Sequence, residues 1–331
     1  MKIGISYDLF TPSLVKDGPP DLYEEWDQEV TIRAIAESIS KLGHEPLLLG
    51  GGRGFLERVL SDPPDLVFNI AEGYGTRSRE AHIPAILEFL GIPYTGSDPL
   101  TLALTLDKEM TKIVVSSAGV RVPVSQTVET VSDLERIDFP FPAILKLRWE
   151  GSSMGLRRNS KVKNRDEMIS VGKWLLETYS RPIIVEEFIP GKEITVAVVG
   201  NGSETRVLAS LLIEHVSVPP EEFVYSLEVK HNWREEIRYT VNPPLDPGTI
   251  SSLEESALAA YRVLGCRDVS RLDFRLGPDG TPYFLEVNPL PGLNPTHSDL
   301  WIMIDQLGIP YHELIGEILG AAMKRLGMGP S

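Results

Sequence analysis

The sequence is poor in cysteine: one, Cys266, stands among 331 residues. A lone thiol excludes an intrachain disulfide framework and fits a reducing compartment. Cys266 itself reads as a small buried hydrophobe. Positive charge is also short, with 32 Lys and Arg against 47 Asp and Glu, a net charge of −15. Binding along a nucleic-acid backbone needs a basic footprint, so that class of partner is not supported, whereas a few local cations suffice for one triphosphate. No apolar run reaches membrane-spanning length, and the opening "MKIGISYDLF" reads as a strand rather than a leader. A cytoplasmic protein with no membrane partner is expected. Internal repeats and low-complexity segments are absent too.

What is present is an alternation of strand and helix patterns. "KIGIS", "PLLLG", "DLVFNI" and "PYTG" read as short strands. "EVTIRAIAESISKLG" places Ile32, Ile35, Ile39 and Leu42 at helical spacing and stops at Gly43, and "EAHIPAILEFLG" is a second helix. Residues 1–99 therefore read as a small, doubly wound parallel α/β domain. From about Leu100 the pattern changes to two α+β lobes, assigned to 100–186 and 187–331. Their elements are a helix at "LDKEMTKIVVSSAG", strands at "VPVSQTV", "FPAILKL" and "PIIVEEFI", and a helix near residues 166–178. Strand pairs follow from Gly191, then a long polar loop, a helix at "TISSLEESALAAYRVLG" and a last helix near 311–326.

The hairpin "RLDFRLGPDGTPYFLEVNPLPG" carries the first chemical signal. Successive strand residues face opposite ways, so Arg271, Asp273 and Arg275 share one face, as do Phe284, Glu286 and Asn288 on the returning strand. A four-residue loop Pro278-Asp279-Gly280-Thr281 sets Asp273 opposite Glu286 and Arg271 opposite Asn288. Two facing carboxylates are destabilising unless a cation lies between them. With the Asn288 amide they form a sparse set of hard oxygen donors, suited to Mg²⁺ shared with a polyphosphate. A solvated face with incidental salt bridges is the alternative.

Phosphate-holding groups have candidates elsewhere. In "LLLGGGRGF" no lysine follows the glycines, so it reads as a strand-to-helix turn. "ILKLRWEGSSMG" ends an apolar strand at Lys146 and continues into a loop with Gly151, Ser152, Ser153 and Gly155, which can offer N–H and hydroxyl donors to an anion. Lys108 lies on a helix, and Lys230 lies in the long polar loop, of the kind that closes over a site. "VEEFIPGKEITV" is a connector able to present backbone groups to a purine edge, with Glu193 placed for ribose hydroxyls.

In this order, "ILEFLGIPYTGSDPLTLALTLDKEMTK", "ILKLRWEGSSMG", "VEEFIPGKEITVAV", "EVKHN", "LGCRDVSRLDF" and "FLEVNPLPG" resemble the ATP-grasp superfamily and, within it, the D-alanine–D-alanine ligase family. The resemblance implies an ATP-grasp fold in which two lobes hold ATP behind an N-terminal α/β domain. It implies Lys108 and Lys146 on ATP phosphates, Lys230 on the γ-phosphate, Glu186, Glu187, Phe188 and Ile189 as the adenine connector, and Glu193 on the ribose. Asp273, Glu286 and Asn288 match ligands for two Mg²⁺, with Mn²⁺ as an alternative ion. Arg271 and the backbone of Gly292 match the groups that steady a tetrahedral intermediate, and Ser152 and Ser153 the serine pair of a mobile loop. Small amino acids are the implied substrates and a homodimer the implied assembly.

Departures cluster in the amino-acid half. Asp27 stands where the family has a glutamate for the first substrate's amine, and Glu72 stands where it has a histidine. Lys230-His231 replaces a lysine–tyrosine pair, and the serine near the second carboxylate corresponds to His297 or Ser298. The leading expectation is D-alanyl-D-alanine synthesis for peptidoglycan. A ligase for another amino-acid pair in secondary metabolism, and a nucleotide-binding protein without ligase activity, are the alternatives.

Overall fold

Three separate sheets organise the described residues. The computed structural model describes residues 1–11 and 18–328. The N-terminal part runs β1 (Lys2–Ser6), α1 (Glu29–Lys41), β2 (Glu45–Leu48), α2 (Gly52–Ser61), β3 (Leu66–Asn69), α3 (His82–Leu90) and α4 (Pro99–Thr105). Its strands form a parallel sheet in the order β2-β1-β3. The strand expected at "PYTG" shrinks to one bridge between Val67 and Tyr94. Gly96 bends the chain away there at φ 87°, and Asp268 captures its N–H at 2.7 Å. The triple glycine is the turn it was read as: Gly50 and Gly52 have positive φ, and Gly51 caps α2.

The middle part runs α5 (Lys108–Ser117), β4 (Ser125–Val128), α6 (Val131–Leu134), β5 (Ala143–Leu147), β6 (Lys161–Val162), α7 (Arg165–Tyr179) and β7 (Ile183–Glu187). Its antiparallel sheet has the order β4-β7-β5-β6. Leu145 and Val185 of the sheet pack with Met168 and Leu175 of α7, all fully buried.

The last part runs β8 (Lys192–Val199), β9 (Arg206–His215), α8 (Leu227–His231), α9 (Trp233–Glu236), β10 (Ile237–Val241), α10 (Pro247–Val263), β11 (Val269–Leu276), β12 (Pro282–Asn288), α11 (Asp299–Gln306) and α12 (Tyr311–Arg325). The sheet order is β10-β9-β8-β11-β12. Alternation along β8 serves two cores: Ile194, Val196 and Val198 face α10, whereas Ala197 and Val199 join Ile35 and Ile39 of α1 and Ile318 of α12. Thus α12 clamps the N-terminal part onto the large sheet. Among the described residues no helix is long and apolar enough to cross a membrane.

The "long polar loop" holds α8, α9 and the edge strand β10, and α11 follows it unforeseen. The polar residues of these short elements mask their pattern, although Ser298 caps α11 through Trp301 N at 3.3 Å.

The expected hairpin pairing is present: Asp273 faces Glu286 and Arg271 faces Asn288. It is reached differently. The loop spans five residues, 277–281, and the ladder slips at Asp273/Phe274, leaving Leu285 as a bulge. Phe284 therefore turns into the core beside Phe274, with ring centroids 5.7 Å apart, instead of sharing a face with Glu286. Leu285 takes the cleft side.

Candidate active site

The cleft lies between the middle and large sheets and opens onto the N-terminal part. One cavity of about 230 Å³ is lined by residues of all three parts, including Asp27, Glu72, Lys108, Arg271 and Gly292. A second, of about 100 Å³, adjoins it beneath the glycine-rich loop and touches Lys146, Glu193, Asp273 and Glu286. A narrow apolar slot continues from there, walled by Ile144, Phe188, Ile189, Val224 and Leu285, with Glu186 and Glu193 at its polar edge.

Lys108 is the first residue of α5, where the helix dipole disfavours a cation. Its position is maintained by Glu286 at 3.1 Å and by the Glu150 carbonyl. Asp107 before it caps the helix through Met110 N and accepts both arms of Arg148 at 2.8 Å. Lys146 ends β5 and donates to Glu186 at 2.9 Å, and Lys112 pairs with the same carboxylate. Burial lowers the Lys146 ammonium to about 8, assisted by Lys108 and Arg275 and opposed by Glu286 and Glu193. Burial also lowers Lys230, which lines both cavities.

On the hairpin, Arg271 forks onto Asp273 at 3.0 and 2.9 Å and reaches Asp299 at 3.0 Å. The Asn288 amide donates to Asp273 at 3.1 Å, and Thr195 donates to it from β8. Burial pushes Glu286 up, but Lys108, Lys146 and Arg271 outweigh it and hold the carboxyl down at about 2. Two carboxylates in direct cross-strand register, with an amide oxygen beside them, fit a hard divalent cation. Among the described residues no group of three His, Cys, Asp or Glu is gathered for a metal. Such a cation would therefore need further ligands from a phosphate chain and water.

The glycine-rich loop has an unusual backbone: Ser152 and Ser153 both adopt left-handed φ, 47° and 59°. Gly151 N and Gly155 N are already taken, by Glu25 at 2.7 Å and Asp21 at 3.0 Å from the N-terminal part. Ser153 donates to the Tyr225 carbonyl at 3.1 Å, whereas the Ser152 side chain borders both cavities. Glu193 accepts from Arg275 at 3.2 Å, and Phe188 is sandwiched between the cations of Arg275 and Lys161. Glu187 lies on the outward face, its N–H given to the Val124 carbonyl at 2.8 Å.

The amino-acid end gathers Asp27, Glu72, His297 and Ser298 on one cavity wall. Ser298 is partly committed to its cap and to the Asn294 carbonyl at 2.8 Å. His231 lies outside the cavity lining and contacts Glu24 at 2.8 Å, joining α8 to the N-terminal part. Residues not singled out from sequence are also here: Lys112, Thr195, Tyr225, Asp299, and the buried network of Glu25, Arg79, Glu80 and Glu150. Lys112 sits in the quoted "LDKEMTK", one turn after Lys108, which is its local signal.

Comparison with known proteins decides the family. A family model described as the D-ala D-ala ligase C-terminus matches residues 119–320. The D-alanine–D-alanine ligase of Aquifex aeolicus is 32% identical over 292 residues, covering 87% of this chain and 93% of that one. That of Bordetella petrii is 31% identical, covering 88% and 86%. This chain belongs to the D-alanine–D-alanine ligase family. Membership makes it a ligase that forms C–N bonds and bears out the resemblance read from the motifs. An uncharacterised protein of Sinorhizobium fredii is similar as well, 33% identical over 92% of this chain and 91% of its own length. The fold agrees: the crystal structure of a D-alanine–D-alanine ligase from Bacillus anthracis complexed with ATP superposes with TM-score 0.71, at 22% identity and over 99% of this chain and 100% of that chain.

Proposed function

We propose that the protein joins two amino acids at the expense of ATP, with D-alanine in both positions, as a cytoplasmic step of peptidoglycan synthesis. The observation that carries this reading is the convergence of Lys108, Lys146, Lys230, Arg271, Asp273 and Glu286 on the walls of two adjoining cavities. In it, residues 1–99 supply substrate contacts, while 100–186 and 187–331 are the two lobes that hold the nucleotide. The apolar slot takes the adenine, with Glu193 on the ribose.

The reaction has two steps. A carboxylate oxygen of the first amino acid attacks the γ-phosphorus, the bond to the β-phosphate oxygen breaks, and ADP leaves. The amine of the second attacks the acyl phosphate carbon, phosphate departs, and the amine loses a proton. Lys108, Lys146 and Lys230 spread the phosphoryl charge. Asp273, Glu286 and Asn288 would hold the Mg²⁺, which would supply charge neutralisation to the phosphate chain. Arg271 and the Gly292 N–H face the oxyanion, each contributing on the order of 3 kcal/mol. Asp27 accepts from the first α-ammonium, and Ser152, Ser153, His297 and Ser298 border the second substrate. The assembly in this reading is a homodimer, which light scattering tests.

The deciding experiment is ADP release with Mg²⁺, ATP and D-alanine, with the dipeptide identified by mass. Release well above the rate without amino acid is expected. Background release with D-alanine rejects this substrate, and background across D- and L-amino acids rejects the ligase reading.

A further inference from the structure

Charge accounting around the larger cavity leaves a remainder at its amino-acid end. Four of the eight acids that line it have a lysine or arginine in contact. Glu25 is paired with Arg79, Glu150 with Arg79 and Arg181, Glu286 with Lys108 and Asp299 with Arg271, while Glu24 contacts the His231 ring. Asp27, Glu72 and Glu80 have no ion-pair partner among the described residues. Glu80 is the most telling of the three. It is 6% exposed, borders the cavity, and has no hydrogen-bond partner among the described residues.

Burying one unpaired carboxylate is costly, and burying three beside one another is more so. Burial, then Glu80 and Glu25, push Glu72 well up, with Asp27 adding a smaller rise, and burial, then Asp8, lifts Asp27 to about 7. Arg79 bears on Glu72 and Glu80, and Lys108 on Glu80, yet burial still dominates and Glu80 rises to about 8. Lys230, which also lines the cavity, has no ion pair among the described residues and has Glu24, Arg271 and Asp299 for neighbours instead. The α-ammonium of a first substrate neutralises one of the three acids. Two remain.

We propose that Glu72 and Glu80 form a second ammonium subsite, so that the first position accepts an amino acid with a cationic side chain alongside D-alanine. This rests on the ligase reading and specifies its substrate class. A primary ammonium offers three donors, enough to bridge two carboxylates, and each such bond is charge-assisted. The reaction is unaltered: the same carboxylate is phosphorylated, and the side-chain ammonium keeps its protons.

The test supplies ATP, Mg²⁺ and D-alanine together with D-α,γ-diaminobutyrate or its neutral near-isostere D-homoserine, and reads mixed dipeptides by mass. The expected result is the diamino acid at the amino end of the product, with kcat/KM about tenfold or more above homoserine, the scale of a charge-assisted bond. Glu80→Gln, which keeps shape, should bring that ratio close to one and raise thermal stability near neutral pH, because an amide carries none of the cost of burying or protonating that carboxyl. If D-alanine turns over while homoserine equals or exceeds the diamino acid, the two glutamates are neutral walls and the subsite is refuted. If no amino acid releases ADP, the ligase reading falls and takes the subsite with it.

Discussion

Glu286 holds three relationships at once: it faces Asp273 across the hairpin, pairs with Lys108, and is kept ionised by the cations around it. Glu286→Ala should abolish turnover, by at least about a hundredfold, because in the proposed reading it empties a metal position, and it frees Lys108. Circular dichroism should remain native. Unchanged ADP release would contradict the metal assignment. Arg271→Ala should depress kcat by about 10²–10³ with a smaller change in KM for ATP, the outcome that its proposed action on the developing oxyanion requires. Equal losses in both would make it a nucleotide clamp. Lys146 adds a pH signature. Its ammonium, lowered by burial to about 8, is needed as a cation, so ATP affinity of the free protein should fall as pH rises through that value. A titration that is flat from pH 7 to about 9.5 would remove Lys146 from the phosphate site.

At the scale of elements, the turn from β7 to β8 transmits strand geometry to both Glu186 and Glu193. Gly191 in that turn has φ +144°, and a Cβ there would lie 1.9 Å from the Leu276 carbonyl oxygen. Gly191→Ala should therefore cost about 2–3 kcal/mol in urea denaturation and weaken ATP binding through Glu193. A loss well below about 1 kcal/mol would mean that the turn relaxes freely. The bulge at Leu285 belongs to this scale as well. It re-aims two neighbouring side chains, giving Phe284 to the core and Leu285 to the cleft, without disturbing the facing acids.

The whole molecule brings the site together from parts that are distant in sequence. Asp21 and Glu25 hold the backbone of the glycine-rich loop, His231 reaches Glu24, and α12 packs on α1. A ligand that bridges these parts stabilises the folded state by mass action. ATP analogue with Mg²⁺ at about a hundred times its Kd should add about 2.7 kcal/mol, and chelation of the metal should remove most of that gain. Equal stabilisation with and without the metal would argue that the hairpin acids do not engage a cation.

Much of this was readable from the chain itself. Period-two and helical spacing marked α1, α7, α10 and the hairpin, because those repeats express which face is buried. The facing of Asp273 with Glu286 was expected too, although the structure reaches it through a longer loop and a bulge, and the glycine turn before α2 was read from its missing lysine. The strand at "PYTG", the short elements of 227–241, and the roles of Glu25, Arg79 and Glu80 did not show. The fate of each hangs on a partner far along the chain, such as Asp268 for Gly96 or Glu25 for Gly151. Sequence alone determined the longer elements and named the candidate polar residues, since local periodicity and residue chemistry are properties of neighbours. Only the tertiary structure decided which charges are neutralised and which are left facing the cavity, because ion pairing is a matter of distance in space.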